Sequence, residues 1–126
     1  MHEPPPNVLF IDAGPHDQLF RHASVVIHHG GAGTTGAVLA SGRPAIVIPH
    51  LGDQYFFARE ITRLGVGITL KRSNWTRKLA KAVTQVEDDM SMRDAARHLA
   101  QRIRKETPVA DAISKVETLF THRQSR

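Results

Sequence analysis

The chain has 126 residues, 40% of them hydrophobic, and no cysteine, which suits one compact domain or a piece of a larger one and excludes extensive disorder, a disulfide framework and thiolate chemistry. Its formal net charge is +5, from 17 Lys and Arg against 12 Asp and Glu. Many of the cations follow Lys71 and alternate with acids in helical segments, the pattern of a solvated helix face, so nucleic acid is not the expected partner.

The start, MHEPPPNVLF, lacks the basic-then-apolar layout of a secretory leader, and no apolar run approaches the roughly 20 residues that span a bilayer. A cytoplasmic chain without a transmembrane segment is expected. Residues 1–6 form a Pro-rich edge, after which Asn7 to Ala13 reads as a short buried strand. In PHDQLFRHA, Pro15 suits the first turn of a helix, with Leu19 and Phe20 packing inward. SVVIHH is continuous and β-branched, as in a strand covered on both faces. A glycine loop follows, then a helix that carries Val38 and Leu39 inward and stops at Gly42 and Pro44.

PAIVIPH is a third strand. DQYFFAREITRLG places Phe56, Phe57, Ile61 and Leu64 at helical spacing and ends on Gly65, and VGITL makes a short fourth strand. Beyond Leu70 the pattern is helical, with Trp75, Leu79, Ala82, Val83 and Val86 on one face of the first segment. Two more helical segments begin near Ser91 and Val109, and Ser91 with Asp94 resembles a cap for the former. Alternating strands and helices predict an α/β fold: a Rossmann-like parallel sheet with helices on both faces, and ligands at the carboxyl ends of the strands. Residues 7–70 are the βα units and residues 71–126 the C-terminal helices of the same domain.

The loop HHGGAGTTG lies at one of those strand ends. A strand running through glycines into a helix exposes backbone N–H groups where the helix dipole favours negative charge, and glycine lets a bulky anion approach the main chain. Phosphate or pyrophosphate is the fitting ligand. Thr34 and Thr35 can add hydroxyl donors, and a histidine can add a ring N–H. A P-loop would need Lys where Gly33 stands. The spacing Gly31, Gly33, Gly36 can be read as a dinucleotide fingerprint, but its acidic ribose partner would have to be Asp53, which instead opens the next helix as half of an Asp-Gln pair.

PHDQLF followed by VVIHHGGAGTTGAVLASGRPAIVIPHLGDQYFFAREITRLGVG resembles the C-terminal, donor-binding half of the GT-B fold, family 1 type glycosyltransferases that use nucleotide sugars. The pattern is most similar to the sterol, macrolide and glycopeptide UDP-glucosyltransferase branch, covers Asn7 to Leu70, and rests on His-Gly-Gly-x-Gly-Thr combined with a downstream Pro-x-x-x-Asp-Gln. The resemblance implies that His29, Gly31, Gly33 and Thr34 hold the donor pyrophosphate, with His28 as the last residue of its strand. It implies that Asp53 and Gln54 bind hydroxyls of the transferred sugar, and that Asp12, Gly14 and His16 meet the nucleotide base. The implied donor is UDP-glucose or a related UDP- or TDP-sugar, with no metal and no other cofactor. Gln18 stands where the sterol-type pattern has Trp, and Ala37 where plant enzymes have a ribose-binding Glu. His16, His22, His50, His98 and His122 show no ligand spacing and read as surface or packing residues.

In enzymes of that type the acceptor pocket and the general base, a histidine, belong to an N-terminal domain, so no residue here is expected to be catalytic. The resemblance further implies that the first strand is an outer one, normally separated from the next by two strands that this chain does not carry. An N-terminal acceptor domain or subunit completing the sheet, self-association, or origin as a piece of a longer transferase is therefore expected, because open strand edges associate. The alternative function is a non-catalytic subunit or sensor that binds UDP or a UDP-sugar.

Overall fold

A computed structural model describes residues 8–10 and 19–106. Four parallel strands form one sheet among the described residues: β1 (Val8–Phe10), β2 (Val25–His28), β3 (Ala45–Val47) and β4 (Gly67–Thr69), in the spatial order β1-β2-β3-β4. Among the described residues four α-helices alternate with and follow them: α1 (Ala32–Ser41), α2 (Asp53–Arg63), α3 (Trp75–Asp88) and α4 (Met90–Glu106). A 3-10 turn, Phe20–His22, leads into β2 and buries Phe20 completely. The helices expected from Pro15 and from Val109 onward fall largely outside the described residues.

The side-chain period of two in a strand divides the core between the faces of the sheet. Val26, Ala45 and Val47 join Val38, Leu39, Phe57, Ile61 and Ala96, so α1, α2 and α4 cover one face. Val25, Ile27, Ile46 and Ile48 join Ala82, Val83 and Val86 of α3 on the other. All four residues of β2 and all three of β3 are buried, as a strand covered twice requires. Each Val or Ile side chain among them contributes about 1.5–3 kcal/mol before the entropy of ordering it is subtracted. The face of α3 lies where its spacing places it: Ala82, Val83 and Val86 are buried, and Trp75 and Leu79 pack on the same cluster.

Two expectations are corrected. The first strand is not held apart from the second: β1 pairs directly with β2, Val8 opposite Val25 and Phe10 opposite Ile27. An unpaired edge of β2 would leave buried N–H and C=O groups without partners, and β1 satisfies them. The cap of α4 is Asp89 rather than Ser91, since the Asp89 carboxylate accepts the Met92 N–H at 3.0 Å. The helix starts one residue before Ser91, so the acid just ahead of it is the group positioned to reach the third backbone N–H.

Candidate functional site

The register of β2 and β3 decides what meets at their carboxyl ends. His28 lies opposite Val47, and the Ile48 N–H donates to the His28 carbonyl at 2.9 Å, so the loops that follow leave the sheet side by side. One runs through His29, Gly30 and Gly31 into α1, and the other through His50, Leu51 and Gly52 into α2.

His28 ends β2, as its place in the sequence predicts, and its ring has a local task. Nδ1 accepts the Gly30 N–H at 3.0 Å, which fixes the ring proton on Nε2 and pins the loop at its tightest point. Gly30 is buried with φ +96°, and a Cβ there would lie 3.0 Å from the Gln54 carbonyl oxygen and from Val47 Cγ1. The glycine is needed so that the first loop can lie against the backbone of α2.

Gly31 caps α1 with no side-chain hydrogen bond, and a Cβ added to it would meet none of the described residues within 4 Å. The first intrahelical bond runs from the Thr35 N–H to the Gly31 carbonyl. The N–H groups of Ala32, Gly33 and Thr34 therefore have no intrahelical acceptor, and Ala32 and Gly33 are exposed. This open, glycine-lined helix start is a place where an anion can settle.

His29 is exposed beside it. Its Nδ1 faces the Ile48 carbonyl at 3.4 Å, at the limit of a hydrogen bond, so the ring can turn its N–H to a ligand. His50 donates from Nδ1 to the same carbonyl at 2.8 Å and packs edge-on against His29. The residue expected to be an ordinary surface or packing histidine is thus a packing histidine inside the site.

Asp53 is the exposed first residue of α2, behind Gly52, and adds negative charge to that helix's first turn. Gln54 has one half of its amide committed: Oε1 accepts the His50 N–H at 2.8 Å and the Leu51 N–H at 3.3 Å. What the side chain has left for a ligand is the NH2 group, which donates. The Gln54 oxygen is thus occupied within the loop.

Thr34 is half-buried, whereas Thr35 is completely buried and its hydroxyl has no hydrogen-bond partner among the described residues. Thr35 is therefore a core residue and not the second hydroxyl donor its position suggests. Ala37 is also buried in the core and offers no group to a ribose. Asp12, Gly14 and His16 lie outside the described residues.

The chain matches the family described as "Erythromycin biosynthesis protein CIII-like, C-terminal domain" over residues 1–119. It belongs to that family. This EryCIII-like domain is the C-terminal domain of GT-B, family 1 type glycosyltransferases. It is 46% identical over 112 residues to a sterol 3-beta-glucosyltransferase of Aspergillus terreus, covering 89% of this chain and 8% of the relative. A sterol 3-beta-glucosyltransferase of Vanderwaltozyma polyspora is 39% identical over 123 residues, 98% of this chain and 10% of that one. The chain thus spans about a tenth or less of the length of these curated relatives.

The EryCIII-like domain also has solved counterparts. The glycosyltransferase SnogD from Streptomyces nogalater superposes with a TM-score of 0.68 at 31% identity, over 95% of this chain and 32% of that one. The glycotransferase of kitacinnamycin superposes with a TM-score of 0.71 at 26% identity, over 94% and 31%. The α/β sheet with helices on both faces is the C-terminal fold of such enzymes.

Of the residues singled out in the sequence, His29, Gly31, Gly33, Thr34, Asp53 and Gln54 all sit on the two adjoining loops and helix starts of this EryCIII-like domain. His50 was missed because its spacing from other histidines carries no signal. The available hint was its place just after β3, next to the Asp-Gln pair.

Proposed function

We propose that this chain is the nucleotide-sugar-binding part of an inverting glycosyltransferase that transfers a hexose to an acceptor hydroxyl, with UDP-glucose as donor. The observation that carries this reading is the abutment of two helix starts of different chemistry. The α1 start offers backbone N–H groups, Thr34 and the His29 ring, and the α2 start offers the Asp53 carboxylate and the Gln54 amide. A diphosphate seated on α1 would leave its attached sugar facing Asp53 and Gln54, since the Gly30 position is in van der Waals reach of the Gln54 backbone. A carboxylate accepts from sugar hydroxyls and an amide NH2 donates to them. The sterol 3-beta-glucosyltransferase relatives support glucose as the sugar.

In this reading the acceptor hydroxyl attacks the anomeric carbon as the bond to the diphosphate oxygen breaks, which inverts the configuration. The charge that develops on the departing UDP is met by the α1 N–H groups and His29, whose donors are in place before the reaction. The base that takes the acceptor's proton comes from an N-terminal acceptor domain or subunit, which also supplies the acceptor pocket. Asp12, Gly14 and His16 are assigned to the nucleotide base, and the βα units of residues 7–70 to the donor as a whole, with residues 71–126 as their helical support.

Calorimetric titration of the chain with UDP and UDP-glucose tests the proposal. Saturable binding is expected, weakened for both ligands by His29→Ala and mainly for UDP-glucose by Asp53→Ala. Absence of binding by a chain shown to be folded would overturn it.

A further inference from the structure

At the opposite end of the sheet, the residues just ahead of β2 and β3 open onto a cavity of about 620 Å³. Among the described residues five arginines line it, Arg21, Arg43, Arg93, Arg97 and Arg104, and no Asp or Glu does. They come from three separate stretches of chain: the 3-10 turn, the α1–β3 connection and α4. Charge alternation along a helix cannot produce this gathering, because only three of the five share a helix. Of these five arginines, only Arg97 has a carboxylate partner among the described residues, Asp94 at 2.6 Å.

Three of the remaining guanidinium groups are held by neutral acceptors, among them Arg93, whose Nη1 donates to the Glu87 carbonyl at 3.4 Å. Arg43 Nη2 donates to the Arg21 carbonyl at 2.7 Å, and Arg104 Nη2 donates to the Ala40 carbonyl at 3.1 Å, near the C-terminal end of α1. Those bonds orient the side chains but cancel no charge, and each guanidinium carries five N–H donors in a rigid fork. Arg43 Nε is shielded from solvent and has no acceptor among the described residues. The result is a set of pre-positioned cations around a concave space of the size that small ligands occupy, and a bound anion would relieve their mutual repulsion.

We propose that this cavity is a second anion site, distinct from the donor loops, that takes a compact ligand bearing several phosphate groups. A concave wall suits a compact polyanion, whereas a nucleic-acid strand calls for a continuous basic groove. The same chemistry is offered by a phosphorylated inositol free in solution and by the headgroup of a phosphoinositide in a membrane.

The test uses the whole 126-residue chain. It is titrated with inositol hexakisphosphate and sedimented with phosphatidylcholine vesicles prepared with and without phosphatidylinositol phosphate. Saturable one-to-one binding is expected, weakened about tenfold or more by Arg93→Gln with Arg97→Gln, both exposed side chains, with circular dichroism verifying the fold. Arg43→Gln is expected to act in the same direction, with circular dichroism verifying its fold. His29→Ala and the pair Lys78→Gln with Lys81→Gln, exposed on α3, are expected to leave the affinity unchanged. Binding to phosphoinositide vesicles as well as to the free ligand assigns a membrane headgroup, and binding to the free ligand alone assigns a soluble one. Equal weakening by the lysine pair, equal displacement by a single-stranded oligonucleotide, loss with His29→Ala, or no binding would each overturn the proposal.

Discussion

The imidazole rings of His29 and His50 meet edge-on, with centroids 4.4 Å apart and planes at 81°, and both turn Nδ1 toward the Ile48 carbonyl. The two side chains come from different loops, so their contact couples the start of α1 to the start of α2. His50 holds the shorter bond to Ile48 and so sets where His29 stands. His29→Ala is expected to weaken UDP binding about tenfold or more, the loss of one hydrogen bond to a charged group. His50→Phe keeps a ring against His29 but loses the bond to Ile48, and a smaller loss of affinity is expected. Parallel titrations of the two variants check the order.

Gly30 and Gly31 adjoin in sequence and should respond oppositely. Gly30→Ala places a Cβ 3.0 Å from the Gln54 carbonyl oxygen at a φ of +96°, and a cost of about 1–3 kcal/mol is expected. In a domain of this size that lowers the thermal midpoint by roughly 5 °C or more. Gly31→Ala fills open space at a φ of −63°, so the midpoint should hold while affinity for UDP falls. Thermal scans paired with titrations separate the glycine the fold needs from the one the ligand needs.

Gln54 divides its amide between a structural and a functional half. Gln54→Glu retains an oxygen for the His50 and Leu51 N–H groups but removes the donor NH2. Stability close to the parent is expected, with loss of the extra affinity that glucose adds to UDP. Gln54→Ala should lose that increment and also about 1 kcal/mol of stability. Denaturant unfolding of both variants, alongside UDP and UDP-glucose affinities, distinguishes the two halves.

Thr34 and Thr35 offer a sharper contrast. Thr35 is wholly buried and its hydroxyl has no partner among the described residues. Thr35→Val should therefore leave UDP binding unchanged and leave stability the same or raise it by about 1 kcal/mol. Thr34→Val, at the partly open position, should weaken UDP binding with little change in the unfolding midpoint. A loss of affinity in Thr35→Val would return its hydroxyl to the site.

The sequence by itself determined what depends on neighbours along the chain. The covered strand before His29, the glycine loop, the start of α1, the Asp-Gln pair opening α2 and the buried face of α3 all follow from local periodicity and from the backbone freedom of glycine. It also placed the residues proposed for phosphate and sugar on loops at strand ends, which is where a parallel sheet puts its ligands.

Tertiary structure decided everything that depends on two distant segments meeting. The register of β2 against β3 brings His50 to His29, lays Gly30 on the backbone of Gln54 and commits the Gln54 oxygen to the second loop. The direction in which α1 packs sends Thr35 into the core while Thr34 stays at the surface, although the two are identical in type. Pairing of β1 with β2 closed a gap that the family resemblance had implied, because an exposed row of backbone donors takes the strand within reach. The arginine cavity likewise exists only once α4 has folded back over the start of β3. Local chemistry is written in the order of residues, but the company each side chain keeps is set by packing, which minimises buried unpaired groups across the whole sheet.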